Sequence, residues 1–348
     1  MSRTSTVLAI VALSVSCGGT PSKSLGPSSF PPVTAPSPLR PEGTVLSVVS
    51  LAYQLAIGGA TLTSAAGQQF SGDESGRITL TAPLDNRSVV AISAPNFLDR
   101  RTVLSNHVSF SLWPRTDPAT DLTEEFTRDV VYASDCGRNP PRRMIRLAPG
   151  VTQVYLAPTS DIMQQRERPQ PWAMAAREAH ERAVAELNHV LGPSGIRFEL
   201  VATRPFTGFV VPVTVGPTAH TCSTADAFAN FTLNAAGEII GGAITHCGLT
   251  TAENQSFGTA NVPSVVLHEM GHIIGLSHSR DVGDVMFTAA CPSWTGTFRD
   301  FEADTFSARE RLVLRMMLQR NAGNAFPDND APGAPASSAA GGRSVIVH

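Results

Sequence analysis

The stretch His268-Glu269-Met270-Gly271-His272-Ile273-Ile274-Gly275-Leu276-Ser277-His278 determines how the rest of this sequence is interpreted. On a helix, residues four apart share one face, so His268 and His272 can bind the same ion through two imidazoles. Glu269 follows the first histidine and can act on a water beside that ion. Gly275 can adopt the backbone conformation that ends a helix, which lets His278 reach the ion from another direction. Three neutral imidazoles leave a zinc ion its double charge and an open fourth position, as in catalytic rather than structural sites.

This arrangement resembles the metzincin zinc endopeptidases, a family that adds a buried methionine in a turn beneath the metal. Met286, in Asp284-Val285-Met286-Phe287-Thr288, follows His278 after a short loop and matches that methionine. The short loop and Ser279, directly after the third histidine, are similar to the matrixin branch. Some other branches place a tyrosine two residues after the methionine; Thr288 stands there, so no tyrosine is assigned to the metal.

The resemblance implies hydrolysis of peptide bonds in extended polypeptides, with one catalytic Zn²⁺ held by the three histidines. It implies that Glu269 is the general base for a zinc-activated water, and that Met286 and Gly275 support the metal site. A surface helix with scattered histidines is the alternative, but it leaves Glu269, Gly275 and Met286 unexplained.

The chain has 348 residues, enough for two modest domains. The formal net charge of −3 and the pI near 6.3 give no electrostatic basis for binding nucleic acid. No apolar run is long enough to span a bilayer. These values leave an ordinary globular protein, and polypeptide is the partner that the family resemblance implies.

The first 17 residues are predicted to be a signal peptide. Arg3 precedes an apolar run from Val7 to Val15, and small residues lead to Cys17. Cys17 with the two glycines after it resembles a bacterial lipoprotein signal, in which the cysteine is acylated and becomes the first mature residue. We therefore expect export, either as a cell-envelope lipoprotein tethered through Cys17 or, alternatively, as a freely secreted protein.

Four of the five cysteines remain after Cys17, an even number that suits disulfides in an oxidising compartment. Cys222 with Cys247 is the favoured pair because the two are closest in sequence. Cys136 precedes Gly137, as in matrixin pro-segments whose thiolate blocks the zinc. Cys136 is thus either half of a disulfide, with Cys291 also available, or a zinc-blocking switch.

Composition divides the chain into further segments. Residues 18–42 are a Pro- and Ser-rich linker, residues 114–143 a charged connector, and residues 321–348 a tail predicted to be disordered. Residues 43–113 alternate apolar and polar positions between regular turn signals, which predicts a small all-β sandwich. The segment from Gly58 to Ile78 resembles the carboxypeptidase-regulatory-like, transthyretin-type domains.

Residues 144–320 are predicted to be an α+β metallopeptidase domain, with a mixed sheet, an active-site helix and the methionine turn. A strand near 151–157, a helix from Pro171 to Val190 and a strand from Ile196 precede the zinc helix, in the order that metzincin catalytic domains have. His180 and His189 on that first helix are expected to be solvated or edge residues.

The segment 238–247 is predicted to be a strand that resembles the matrixin strand along the substrate cleft. Its residues Gly242, Ala243 and Ile244 are therefore candidates for pairing with substrate backbone. In the family the histidine matching His246 binds a second zinc, but no co-ligands are evident, so His246 and His220 are interpreted as structural residues.

The acidic cluster at Asp300, Glu302 and Asp304 is either a calcium site or a solvated loop, and its spacing favours the loop. The competing hypothesis for the whole chain is a non-enzymatic surface lipoprotein that binds a protein or carbohydrate through the sandwich. The intact zinc motif favours the peptidase.

Overall fold

The computed structural model describes residues 39–105, 107–132, 143–157, 159–161, 166–170, 174–216, 227–250, 255–256, 258–288, 303–330 and 344–347. Pro38–His348 form one compact unit. The predicted signal peptide, Cys17 and the cysteines at 136, 222 and 291 lie outside the described residues. The pairing of Cys222 with Cys247 and both interpretations of Cys136 therefore stay predictions.

Nine short strands occupy residues 39–112. They are β1 (Leu39–Arg40), β2 (Val45–Ser50), β3 (Thr61–Ser64), β4 (Gln69–Ser71), β5 (Arg77–Thr79), β6 (Leu84–Asp85), β7 (Val89–Ser93), β8 (Arg100–Val103) and β9 (Ser109–Leu112). β1 pairs with β6, and the others form a three-stranded sheet β5-β2-β9 and a four-stranded sheet β4-β3-β7-β8. Alternation directs one side of each strand inward: in β7, Val90 and Ile92 are buried while Ala91 and Ser93 are exposed. The buried sides form one core from Leu46 to Leu112.

A short helix that the sequence analysis did not predict follows, in the segment interpreted as a connector. Helix α1 (Glu124–Val131) begins at Thr123, whose side chain caps it by accepting a hydrogen bond from the backbone N–H of Phe126. Its buried side joins the main core of the molecule, together with Trp113. Residues 114–132 of the connector are thus part of the folded structure.

The strands after α1 are β10 (Arg146–Leu147), β11 (Gly150–Leu156), β12 (Thr159–Asp161), β13 (Arg166–Gln170), β14 (Ile196–Val201), β15 (Phe209–Val215), β16 (Ala227–Leu233), β17 (Glu238–His246), β18 (Leu249–Thr250), β19 (Gln255–Ser256) and β20 (Ser344–Val347). Seven of them form one sheet in the order β14-β11-β15-β17-β16-β20, with β10 also on β17. β14, β11, β15 and β17 are parallel, whereas β16 runs antiparallel to both β17 and β20. This mixed α+β architecture confirms the fold class predicted for the second part of the chain.

Segment 238–247 forms a strand, as predicted, but it is not the edge strand that pairing of Gly242, Ala243 and Ile244 with substrate backbone would require. β17 is an interior strand, paired with β16 on one side and with β10 and β15 on the other. Ile244 has Val213 and Ala229 as partners on its two sides. Strand order depends on pairing between distant residues, which local alternation does not encode. Gly242, Ala243 and Ile244 therefore do not line a free edge, and the strand beyond them is β16.

Three further helices are α2 (Met174–Leu191), α3 (Pro263–Ile274) and α4 (Ala308–Met317), with 3₁₀ turns at Gly192–Ser194 and Gly258–Asn261. Helices α2 and α3 pack on this sheet, and α4 packs against α2. His180, expected at the surface, lies fully buried on the inner side of α2, and its Nδ1 donates a hydrogen bond of 2.7 Å to Ala176 O. The expectation for His180 is thus wrong, because the helix places it in line with the buried alanines at 176 and 183. None of the helices in the described ranges has the length and apolar composition needed to cross a membrane.

The tail predicted to be disordered is ordered over residues 321–330. Arg320, at the end of α4, pairs with Asp328 at 2.7 Å, and both side chains are almost completely buried. The same guanidinium donates to the backbone oxygen of Ser111 in β9 at 2.7 Å, and Arg100 in β8 pairs with Asp330 at 3.1 Å. These interactions join the first residues of the tail to the β-rich N-terminal part. Composition does not predict them, because they connect residues that are far apart in sequence.

Candidate metal centre

Helix α3 supplies two of the three predicted ligands. His268 and His272 lie four residues apart on it, and their Nε2 atoms are 3.1 Å apart. Both residues are buried. Val262 caps the helix without a side-chain hydrogen bond, and Pro263 occupies the first turn, where its missing N–H is not needed.

Gly275 ends the helix, as its predicted supporting role requires. Its φ of +115° lies in the region that favours glycine. A Cβ at this position would lie 2.3 Å from Ile145 O, so no side chain fits. The chain turns back there and brings His278 to the other two histidines, with ligand atoms of all three residues within 4.8 Å of one another.

The hydrogen bonds of two of these rings fix their chemical form. His268 Nδ1 lies 2.7 Å from Val285 O, and His272 Nδ1 lies 2.8 Å from Leu276 O. A carbonyl oxygen only accepts, so each Nδ1 carries the proton and each Nε2 presents a lone pair. Burial lowers the pKa of His268 to about 4 and that of His272 well below its usual 6.5. Neutral imidazoles oriented by backbone carbonyls are the donor set that zinc binds, so these residues fit the ion.

Glu269 is the acidic group of the centre. Its side chain is buried, and within the described ranges no donor lies in hydrogen-bond reach of Oε2. Burial raises the pKa of the carboxyl group well above its usual 4.5. A buried carboxylate oxygen without a protein donor is suited to interact with a bound water or substrate.

Met286 lies directly beneath the ligand helix. A Cβ on Gly271 would be only 2.4 Å from Met286 Sδ, so the absence of a side chain at 271 permits this contact. The turn is held to the residue after the third histidine, because Ser279 N donates to Met286 O at 2.6 Å. The buried methionine therefore packs against the ligand helix at Gly271, the residue before His272.

Glu310, on helix α4, holds this turn and is not among the residues that the zinc motif predicts. Its fully buried carboxylate accepts from Met286 N at 2.8 Å and from Val285 N at 3.1 Å. It also accepts from Ser307 N, and Ser307 Oγ caps the helix in return, which completes a capping box. Because Val285 O accepts from His268, Glu310 positions a zinc ligand through one peptide group. The spacing Ser-x-x-Glu at 307–310 was the sequence signal for it.

A second carboxylate of the turn is bound to the same helix. Asp284 accepts from Arg309 Nε at 3.0 Å and Arg309 Nη2 at 2.6 Å, and from Ser307 Oγ at 2.7 Å. Ser279 Oγ also donates to Asp284. Asp284 thus binds both Ser279, which follows the third ligand, and the N-terminus of α4. These bonds restrain the segment between His278 and Met286.

The other predicted site residues lie elsewhere or outside the described residues. His246 is buried at the end of β17, with its ring centre 5.4 Å from that of His180, so it is distinct from the three-histidine group. Within the described residues, the triad is the only cluster of three or more side chains arranged to hold a metal. His220, Asp300 and Glu302 lie outside those residues, so the choice between a calcium site and the favoured solvated loop stays untested.

Comparison with known proteins supports this assignment. The family model described as Matrixin matches residues 223–304, which include all three histidines, Glu269 and Met286. No curated protein matches the chain. A metalloproteinase-II from Bacteroides fragilis is among the similar solved structures, at 10% identity and a TM-score of 0.27, covering 74% of this chain and 97% of its own. A TM-score that low does not establish a common fold. The family match shows that residues 223–304, which carry the ligand motif, are similar to the matrixins.

Proposed function

We propose that this protein is an exported zinc endopeptidase that hydrolyses peptide bonds within extended polypeptides. The observation that carries the proposal is the convergence of three buried histidines, with ligand atoms within 4.8 Å of one another, beside the buried carboxylate of Glu269. Sealed structural zinc sites usually have four protein ligands, so three ligands with an adjacent base favour catalysis.

Bound zinc would make water nucleophilic near neutral pH and polarise the scissile carbonyl. Glu269 is the group that moves the proton: its Oε2 accepts a proton from the attacking water and passes it to the nitrogen of the leaving amine. The raised pKa of this carboxyl group makes it a stronger base than a solvated glutamate. His268 and His272 keep their Nε2 lone pairs directed at the metal position because Val285 O and Leu276 O retain the Nδ1 protons.

Export and lipid attachment are part of the proposal. The apolar run Val7 to Val15 and the Cys17-Gly18-Gly19 sequence support a lipoprotein signal. An envelope-tethered or secreted location also suits the even number of cysteines that remain. Labelling with a radioactive fatty acid, compared between the wild type and Cys17→Ala, tests the anchor.

The peptidase assay uses casein digested by zinc-loaded protein, with mass spectrometry of the products. We expect internal cleavages that a chelator abolishes and added zinc restores. Glu269→Gln should bind zinc normally and cleave at a rate at least about 10²-fold lower, because it lacks the base. Glu178→Gln, an exposed position on α2, is the matched control and should cleave like the wild type.

If zinc-loaded wild type leaves casein and denatured proteins intact, the proposal fails. The non-enzymatic surface lipoprotein, with the N-terminal β-rich part as its binding module, would then be favoured. Cleavage by Glu269→Gln at the wild-type rate would contradict only the assignment of the base.

A further inference from the structure

The outer strand of the main sheet, β16, has the end of the chain as its neighbour. β20 pairs with it antiparallel, with Ala229 opposite Val347, Asn230 opposite Ile346, Phe231 opposite Val345 and Thr232 opposite Ser344. Without β20, β16 would be the edge strand, because its other side is paired with β17. The end of the chain therefore covers the one side of β16 that the rest of the sheet leaves open.

This edge lies beside the helix that carries the histidines. Helix α3 packs against both β16 and β17. A Cβ on Gly242 in β17 would lie 2.8 Å from Ile273 Cδ1, the residue after His272, and 3.4 Å from Asn230 O in β16. Gly242 is paired with Phe231, and Phe231 with Val345. The terminal strand is thus two strand spacings, about 10 Å, from the place where the ligand helix crosses the sheet.

An uncovered β16 would present alternating N–H and C=O groups that bind an extended peptide as an added strand. Antiparallel addition of main-chain hydrogen bonds is independent of the side chains of the peptide, so any unfolded polypeptide can use it. A substrate and β20 cannot occupy the same backbone groups at once. The two must therefore compete for the edge.

We propose that the terminal strand Ser344–Val347 is an internal competitor that occupies the polypeptide-binding edge of β16 and restrains the peptidase. The proposal rests on the peptidase function proposed above. Dissociation of the strand opens the edge to substrate. An enzyme regulated in this way is activated by loss of its last residues, or by a partner that captures them.

The expected effect is on substrate affinity. If β20 is bound in about nine molecules of ten, the competent fraction is about one tenth and the apparent KM rises about tenfold. Attachment to the same chain favours binding of the strand, since tethering supplies an effective concentration in the millimolar range. kcat at saturating substrate should be unchanged, because substrate then displaces β20 from the edge in every molecule.

The test compares zinc-loaded full-length protein with a variant that lacks residues 344–348. Removal of His348 alone is the matched control, since it leaves the strand intact. We expect kcat/KM on a long unfolded substrate to rise about tenfold in the variant, with kcat unchanged. Amides of β16 should also exchange hydrogen faster, a readout independent of hydrolysis.

Two proline variants of the full chain sharpen the test. In an antiparallel pair, alternate residues bond to the neighbouring strand, so only one of Val345 and Ile346 directs its N–H to β16. Proline lacks this donor but is tolerated where the N–H faces away. One of Val345→Pro and Ile346→Pro should therefore activate the enzyme as truncation does, and the other should not.

Equal kcat/KM and equal amide exchange with and without residues 344–348 would overturn the inference while the peptidase function stands. Lack of hydrolysis by both chains would overturn the peptidase function and the inference with it. A fall in kcat/KM on truncation would show that the strand supports the active fold, which also contradicts competition. Thermal unfolding of both chains checks that they are equally folded.

Discussion

The buried carboxylate of Glu310 gives the sharpest prediction about the architecture around the metal. Replacing it by alanine leaves the N–H groups of Val285 and Met286 without their acceptor, and both residues are fully buried. Each unsatisfied buried donor costs about 1–3 kcal/mol, so the two together cost about 2–6 kcal/mol. Ser307 N, the third donor, is only partly buried and can bond to water instead.

An opposing contribution comes from the carboxyl group itself. Burial, assisted by Asp284, raises the pKa of Glu310 from 4.5 to about 7. Keeping the group ionised in the folded protein therefore costs on the order of 3 kcal/mol. Replacing Glu310 by alanine removes this cost and so offsets part of the destabilisation. Subtracting the second contribution from the first leaves a net destabilisation of at most about 3 kcal/mol near neutral pH. Glu310→Gln keeps one acceptor oxygen and should fall between alanine and the wild type.

The larger effect is expected on the metal. Glu310 fixes the peptide whose carbonyl orients His268, and loss of such a partner typically weakens metal binding by about 10–100-fold. Zinc affinity would be measured by competition with a chromophoric chelator, and stability by urea unfolding of the metal-free protein. Glu178→Ala, on the exposed side of α2, is the control. A zinc affinity within about twofold of the wild type would refute the link from Glu310 to His268.

Three further predictions concern the packing around the site. Gly271→Ala places a Cβ 2.4 Å from Met286 Sδ, so it should destabilise the protein by about 1–3 kcal/mol and weaken zinc binding. Gly192→Ala, which has open space around it, is the control and should change neither quantity in the same unfolding and zinc titrations. Burial lowers the pKa of His180 to about 4; the unfolded chain therefore binds the extra proton between pH 6.5 and 4, and stability falls as the pH drops through that range. His180→Phe should remove about 3 kcal/mol of that loss, and urea midpoints that change in parallel for both proteins would contradict it. Arg320→Ala leaves its buried aspartate partner unpaired and should lower stability by about 3–5 kcal/mol in thermal unfolding, with an unchanged melting temperature as the contrary result.

The local part of the site could be predicted from the sequence because it depends on helix geometry. Helix geometry sets the spacing of His268 and His272, and the end of the helix requires a glycine at 275. The methionine at 286 follows the third ligand after a short loop, so it too can be identified from local sequence. The structure places the three histidines together and Met286 against the helix, in agreement with that reasoning.

The remainder depends on contacts between distant residues. Nothing local distinguishes β17 as an interior strand, because its partners in β15 and β16 come from separate segments. Glu310 bonds to the backbone of a residue far from it in sequence. Asp328 lies in a segment whose composition predicts disorder, yet it forms a buried ion pair. His180 shows the limit of residue-type reasoning, since a histidine among buried alanines follows the face of its helix rather than its polarity.

The central claim is that three imidazoles bind one zinc ion and leave a fourth position open. X-ray absorption at the zinc edge, on the full-length protein loaded with one equivalent of zinc, measures this directly. We expect three nitrogen ligands at about 2.0–2.1 Å with imidazole scattering, and one further oxygen. A sulfur ligand at about 2.3 Å, or fewer than three imidazoles, would contradict it.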